Sequence, residues 1–510
     1  MKNNKLILAG ILIFAALLRL WQNTKIALWH DEAFSALLIR MPYDEMMHRI
    51  GLDVHPPLYY WLLRGWDTLF GDSLFSLRAF SVLFGVATVW MLYIFVKDLT
   101  KNAKIGLGAA LLLAVNAFHM RYSFEARMYT LGTFLVVLSS WFILKAINKN
   151  QWRWWLLYGA SVAAMALTHY FLLFSIAAQG FFILIWFFKS KIKSYRWLGA
   201  YALSFFLYAF WLPVFVEQFT RVQDNYWIPK LAGWSIPDVL WKMIIRGFDG
   251  THTWQFVAGP VIFFTIGTWF LIKRRSLNDR MLMVLVVAPF ILAVLASIKS
   301  SIFLDRYLIF ASIFFVGIIA ILLLSLKNRK VGIGLLIAYT LLSTGAYVQG
   351  MSELDIKNRP GMAAASQYIF DKFPFNCNRQ NREPSHIIVG KTAIYFNYLY
   401  YYDQYLRPNR GASFACELHF APEAKLHLPG INSVSQIPHF SGAALLEDHE
   451  LLGNFIGYAK SGEAVYMLWT TGFYGSKPEV PSNWQQIEEQ KFPDVYQYRG
   501  EIFVTKYLVK

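Results

Sequence analysis

Long apolar runs separated by shorter polar stretches fill the chain from its first residues to about residue 350. They are Leu6–Leu20, Leu74–Val96, Ile105–Phe118, Met128–Leu144, Trp154–Leu167, Phe171–Phe188, Trp197–Val216, Phe256–Ile272, Met281–Ile298, Tyr307–Leu326 and Val331–Val348. A helical crossing of a bilayer needs about 20 such residues. The pattern therefore predicts about eleven transmembrane helices, with the third and fifth runs short of the usual length. Beyond Gln349 the pattern changes. His386–Val389, Ala464–Trp469 and Ile502–Val504 read as strands, and Ala363–Phe370 reads as a helix after the Pro360-Gly361 turn. A tail of about 160 residues is long enough for one domain with its own core. The expected fold is an α-helical polytopic membrane protein with a C-terminal α/β domain. The membrane domain covers 1–348, with long loops at 21–73 and 217–254, and the soluble domain covers 349–510.

Composition narrows the class. Only 15% of the 510 residues are charged and 56% are hydrophobic, whereas an ordinary soluble domain is about a quarter charged. That excludes a soluble enzyme and a disordered chain. The net charge is +17, from 48 basic and 31 acidic residues, and its placement is informative. Lys2 and Lys5 begin a series continued by Lys97, Lys101 and Lys104; Lys145, Lys149 and Arg153; Lys189, Lys191, Lys193 and Arg196; Lys273, Arg274, Arg275 and Arg280; and Lys327, Arg329 and Lys330. The alternate turns, His119–Arg127, Thr168–Tyr170 and Lys299–Arg306, hold few cations. The positive-inside rule then places the N-terminus in the cytoplasm of a multi-pass inner (plasma) membrane protein. An odd number of spans places the tail outside. A nucleic-acid partner is excluded, because its cations would cluster on one exposed domain.

The N-terminus has the basic start and apolar run of a signal peptide. Leu18-Arg19-Leu20-Trp21 offers no small-residue cleavage site, so the run reads as an uncleaved anchor. Trp227, Trp234, Trp241 and Trp254 in the second loop suit helices lying in the membrane interface. Cys377 and Cys416 both lie in the external tail, where they form a disulfide or remain two buried thiols.

On this topology the polar residues of chemical interest fall on the outer side. Trp29-His30-Asp31-Glu32 puts two adjacent carboxylates just after the first span. They suit a helix first turn, a general base or a divalent cation. Asp53-Val54-His55-Pro56-Pro57 stiffens the chain before the next helix, and His55 or Asp53 there can meet a phosphate or orient a base. In Arg121–Thr130, Glu125 pairs with Arg121 or Arg127, or an arginine grips a phosphate in bidentate fashion. His169 and the Asp305-Arg306-Tyr307 triplet sit at outer span ends, where interface anchoring competes with anion binding. Trp211-Leu212-Pro213 marks a helix kink or end.

Taken in order, WHDEAFS at 29–35, HPPLYYWLL at 55–63 and RYSFEARMYTL at 121–131 resemble the GT-C membrane glycosyltransferases. The nearest branch holds the dolichyl-phosphate-mannose protein mannosyltransferases and the bacterial lipid A aminoarabinose transferase. THYF at 168–171, WLPVFVEQ at 211–218 followed by YWI, and DRYL at 305–308 add to it, and the resemblance covers about residues 1–350. It implies inverting transfer of a sugar from a polyprenyl-phosphate-linked donor to a lipid, glycan or protein acceptor, among membrane lipids. Asp31 matches the family's first-loop base, with Glu32 assisting substrate or metal. His55, Glu125, Arg127, Tyr129, His169, Arg306 and Tyr307 match positions near the donor phosphate. The aminoarabinose transferase carries an acidic-Lys-Pro-Pro motif where this chain has Val54-His55-Pro56-Pro57, so the metal ligation of that relative does not carry over directly. No cofactor is required by the chemistry, although a divalent metal is compatible with Asp31 and Glu32. A polytopic lipid or sugar transporter or flippase is the competing class; it predicts charged or broken helices near the bilayer midplane.

Overall fold

The computed structural model describes residues 2–21, 23–24, 26–190, 194–224, 228, 230–245, 254–353, 361–372, 385–410, 424–437, 443–472, 475–494 and 500–510. Cys377, Cys416 and Trp227 lie outside the described residues. The chain divides into two compact units. One comprises Met1–Asn23 and Ile50–Gly350, the other Thr24–Arg49 and Met351–Lys510. Residues 24–49 of the first loop thus pack with the C-terminal tail.

The first unit is helical. Its helices are α1 (Lys2–Leu20), then, after α2 (His30–Leu38) of the other unit and α3 (Tyr43–Leu52) across the junction, α4 (Leu58–Phe70), α5 (Leu74–Thr100), α6 (Ala103–Val115) and α7 (Ala117–Ser123). They continue with α8 (Tyr129–Lys149), α9 (Trp152–Ala166), α10 (Leu172–Lys189), α11 (Arg196–Tyr208), α12 (Leu212–Asp224) and α13 (Ser235–Ile244). The last are α14 (Gln255–Lys273), α15 (Leu277–Lys299), α16 (Ile309–Leu324) and α17 (Arg329–Glu353). Among the described residues nine helical stretches are long and apolar enough to cross a membrane, and the bent pair α6–α7 makes ten. The fifth apolar run is α9, only 15 residues long. This is a multi-pass membrane protein.

The spans form layers. The apolar window of α16 is 89% buried inside the protein, against 17% for α1 and 22% for α14 and α17. So α16 is a central helix sheathed by others, while α1, α14 and α17 keep most of their surface for lipid. With no hydrophobic drive between helices in lipid, close backbone approach matters. Gly159 on α9 illustrates this: a Cβ there would meet the Ala200 carbonyl of α11 at 2.4 Å. Ser204 Oγ reinforces the crossing by donating to the Gly159 carbonyl at 2.7 Å.

The 61° break between α6 and α7 exposes backbone groups that lipid cannot satisfy. Side chains satisfy them. Asn116 Oδ1 accepts from the His119 amide at 2.9 Å. The Ser343 hydroxyl donates to the Val115 carbonyl at 2.8 Å. The wholly buried Arg19 guanidinium donates to the carbonyls of Ala114 and Leu113 at 2.8 and 3.2 Å, and lies 2.9 Å from His119 Nδ1. A cation over the C-terminal carbonyls of α6 also meets the negative end of its dipole.

The second unit carries a six-stranded sheet: β1 (Ser385–Val389), β2 (Ala424–His427), β3 (Leu451–Leu452), β4 (Ala464–Thr470), β5 (Trp484–Asp494) and β6 (Gly500–Val509). The order is β3-β2-β1-β4-β6-β5. The first four strands are mutually parallel, and β6 runs antiparallel to β4 and β5. Val465, Met467, Trp469, Trp484, Tyr507 and Val509 form a core with Ile388 and Phe455. Two helices, α18 (Gly361–Lys372) and α19 (Thr392–Arg410), pack together, and α2 lies on α19. The strands and the helix expected in the tail are all present, and the fold class is as expected.

Candidate active site

In the first unit, residues from four separate turns converge. The Pro56-Pro57 pair leads into α4, and the Leu58 amide is tied to the Leu167 carbonyl at 2.9 Å. That brings the turn before α4 against the turn after α9. Asp53 and His55 are both buried, and His55 Nδ1 lies 2.8 Å from Asp53 Oδ2. A carboxylate can only accept, so Nδ1 carries the proton in the neutral ring and Nε2 is left as an acceptor. Arg127 Nη2 approaches that Nε2 at 3.3 Å, and Nη1 donates to the Tyr60 hydroxyl at 3.2 Å. A chain Asp53–His55–Arg127 results, with a wholly buried guanidinium at its end.

Packing extends the cluster. The His169 ring lies 5.6 Å from His55, 6.0 Å from Tyr129 and 5.0 Å from Tyr307. Tyr307 in turn stacks on Phe171 at 4.1 Å and lies beneath the Arg306 guanidinium at 5.6 Å. His169 Nδ1 accepts from the Phe171 amide at 3.1 Å. The ring proton is therefore on Nε2, which is buried with no hydrogen-bond acceptor among the described residues. Burial foremost, then the nearby Arg127 and Arg306 guanidiniums, pushes His169 well below the usual histidine range. It is neutral at pH 7 and presents an N–H.

The supporting elements explain why Arg127 can sit there. The Phe124–Met128 turn follows the broken helix and is pinned by Ser81 of α5: the Ser81 hydroxyl donates to the Arg127 carbonyl at 3.3 Å, and Thr130 Oγ1 donates to the Ser81 carbonyl at 2.8 Å. The Arg306 turn is held by a residue that the sequence did not single out. Lys242 of α13 bridges Asp238 and Asp305, each at 2.8 Å, and the Arg306 amide donates to Asp305 at 2.7 Å. Its only sequence signal is the i, i+4 spacing of Asp238 and Lys242. Glu125, buried in the same turn as Arg127, shares the electrostatic surroundings of Tyr122 with Arg121, Asp305 and Arg306.

Asp31 and Glu32 belong to the second unit. Both are buried in the first turn of α2. Glu32 Oε2 accepts from the Trp29 amide at 3.3 Å, a capping role at a helix start. Ser35 Oγ donates to the Asp31 carbonyl at 3.0 Å. Among the described residues no three His, Cys, Asp or Glu side chains gather as a metal site. Asp31 and Glu32 by themselves supply fewer ligands than the six or more oxygens that a calcium or magnesium ion takes.

Across 98% of this chain and 97% of the other, the fold superposes on ArnT from Cupriavidus metallidurans bound to undecaprenyl phosphate, with TM-score 0.54 and 13% identity. The same protein in the apo state gives TM-score 0.55. The chain has the GT-C fold. Residues 54–213 of this GT-C chain match the family described as dolichyl-phosphate-mannose-protein mannosyltransferase. The S. cerevisiae Pmt1-Pmt2 complex bound to the sugar donor is 21% identical over 43% of the chain, at TM-score 0.33, and the match spans only 33% of that structure's chain. No curated protein sequence matches the chain. The matched stretch 54–213 contains His55, Glu125, Arg127, Tyr129 and His169.

Proposed function

We propose that this chain is a membrane glycosyltransferase that moves a sugar from a polyprenyl-phosphate carrier to an acceptor outside the cytoplasmic membrane. The observation that carries the reading is the buried cluster of Arg127, His55 and His169. The cluster gathers a wholly buried guanidinium and two imidazoles, groups whose N–H donors suit a phosphate. The His169 N–H adds a donor that a phosphate or sugar oxygen would satisfy. ArnT holds undecaprenyl phosphate on the same fold, and that ligand class suits this cluster.

The chemistry asked of the protein is modest. The polyprenyl phosphate leaves as an anion, so no general acid is needed. Arg127, held by His55 and Tyr60, takes the developing negative charge, and Arg306 supplies a second cation. Asp53 fixes the His55 tautomer and keeps Nε2 turned to Arg127. Asp31 removes the proton from the acceptor hydroxyl or amine as it attacks the anomeric carbon from the opposite side, inverting it. The N-terminus is cytoplasmic and the C-terminal unit extracytoplasmic, on the cation distribution of the turns.

Transfer of labelled sugar from a polyprenyl-phosphate donor in membranes tests the reading. The expected result is transfer by the wild type and loss of it in Arg127→Met and Asp31→Asn, both still inserted and intact. Full transfer by Asp31→Asn would remove Asp31 from the mechanism. Uptake of substrate into liposomes with no covalent product would overturn the enzyme reading itself.

A further inference from the structure

The C-terminal unit contains an arrangement that the reading above does not use. Leu28 is buried at 1% exposure and precedes α2, so neither of its backbone polar groups has a ladder partner. Both are satisfied from one helix. The Leu28 amide donates to the Tyr401 hydroxyl at 2.8 Å, and Asn397 Nδ2 donates to the Leu28 carbonyl at 2.5 Å. Residues 397 and 401 are one turn apart on α19 and share a face. The next residue is satisfied internally: the Trp29 amide by Glu32, and the Trp29 carbonyl by the Ala33 amide at 2.9 Å. The Asn397–Tyr401 pair is therefore an anchor of this turn.

The same face of α19 continues along α2. The His30 ring packs on Phe396 at 5.4 Å. Past the end of α2, Arg40 pairs with Asp403 at 3.0 Å and lies over the Tyr400 ring at 5.1 Å. Positions 396, 397, 400, 401 and 403 thus hold both ends of the segment that carries Asp31 and Glu32.

We propose that α19 is the positioning element for the acidic turn, with Asn397 and Tyr401 clamping Leu28 so that the first turn of α2 presents Asp31 in one orientation. The C-terminal unit then serves the chemistry itself. This rests on the reading of Asp31 as the base. Misplacing a reacting group by about 1 Å can cost on the order of a hundredfold in rate, and loosening one anchor of two is expected to cost about tenfold.

The test uses the full-length protein in detergent or liposomes. Tyr401→Phe removes only a hydroxyl, and Asn397→Leu removes a donor at similar size. Tyr395→Phe, on the same helix, is the control, because its hydroxyl bonds the Ala424 carbonyl of β2 and Glu450 rather than Leu28. Amide exchange at Leu28 is expected to rise about tenfold in Tyr401→Phe but not in Tyr395→Phe, in line with loss of one hydrogen bond. In both clamp variants kcat is expected to fall about tenfold while the donor KM stays at the wild-type value and the melting temperature falls no further than in Tyr395→Phe. Unchanged exchange at Leu28 overturns the clamp, whatever the activity. Faster exchange with unchanged kcat, or a kcat loss matched by Tyr395→Phe, overturns its positioning role. Asp31→Asn is assayed alongside: full activity there removes the base assignment and leaves the exchange result to judge the clamp alone.

Discussion

Among single residues, Arg127 is the wholly buried cation of the cluster. Its guanidinium has a bidentate geometry that a lysine cannot reproduce, and its place is fixed by His55 and Tyr60. Hydrogen bonds to charged groups contribute about 1.5–3 kcal/mol, so Arg127→Lys is expected to lower kcat/KM for the donor roughly tenfold to a hundredfold, read in a transfer assay. His169 gives a prediction about pH. Its native state resists protonation, while the unfolded chain takes up a proton near the ordinary value of about 6.5. The unfolded state then binds more protons below that pH, so stability falls as pH drops through about 6.5 and below. Thermal melting in detergent is expected to show a larger loss between pH 7.5 and 5 for the wild type than for His169→Phe. The residue types were legible in the sequence because Arg, His and acidic side chains are conspicuous among apolar spans. Their pairing was not: nothing in the spacing of 53, 55 and 127 states that Asp53 fixes the tautomer through which His55 meets Arg127. The Lys242–Asp305 pair was not legible either, because Asp305 stands 63 residues away on another element.

Among the elements, the long spans were the most legible part of the molecule. A lipid-crossing segment must satisfy its backbone internally and be apolar throughout, so it announces itself by length. The α6–α7 break did not, since an Asn inside an apolar run carries no Pro or Gly signal; the break is supported from outside by Ser343 and Arg19. The edge strand β5 was equally hidden, with charged and amide side chains at most of its positions. Helix crossings make a direct prediction. Gly159→Val would drive a side chain into the Ala200 carbonyl. Overpacking of this kind costs about 1–3 kcal/mol, and a lowered melting temperature with α9 and α11 loosened in amide exchange is the expected outcome. Gly334, which has open space around its Cβ position, is the control: Gly334→Ala is expected to melt at the wild-type temperature or above it.

For the molecule as a whole, orientation and unit boundaries are what the parts amount to. The cation pattern proposes an orientation, and a labelling experiment tests it. A cysteine introduced as Ser300→Cys in a background without the native cysteines is expected to react with an impermeant maleimide in intact cells. Arg275→Cys is expected to react only after permeabilisation. The division of the chain was less readable, because hydropathy reports where membrane helices lie and is silent on which loop packs with which domain. Thr24–Arg49 joins a unit whose remaining residues begin at Met351. That discontinuity bears on biosynthesis. At about 5–20 residues per second, the ribosome needs roughly 20–75 s after finishing α2 before α19 exists to receive it. During that interval the apolar side of α2, including Phe34 and Leu38, is left uncovered. A chain that stops early never covers it. Burial of this segment thereby waits on synthesis of α19, and a chain cut short before Thr392 is expected to be cleaved by protease within 30–38 where the full chain resists.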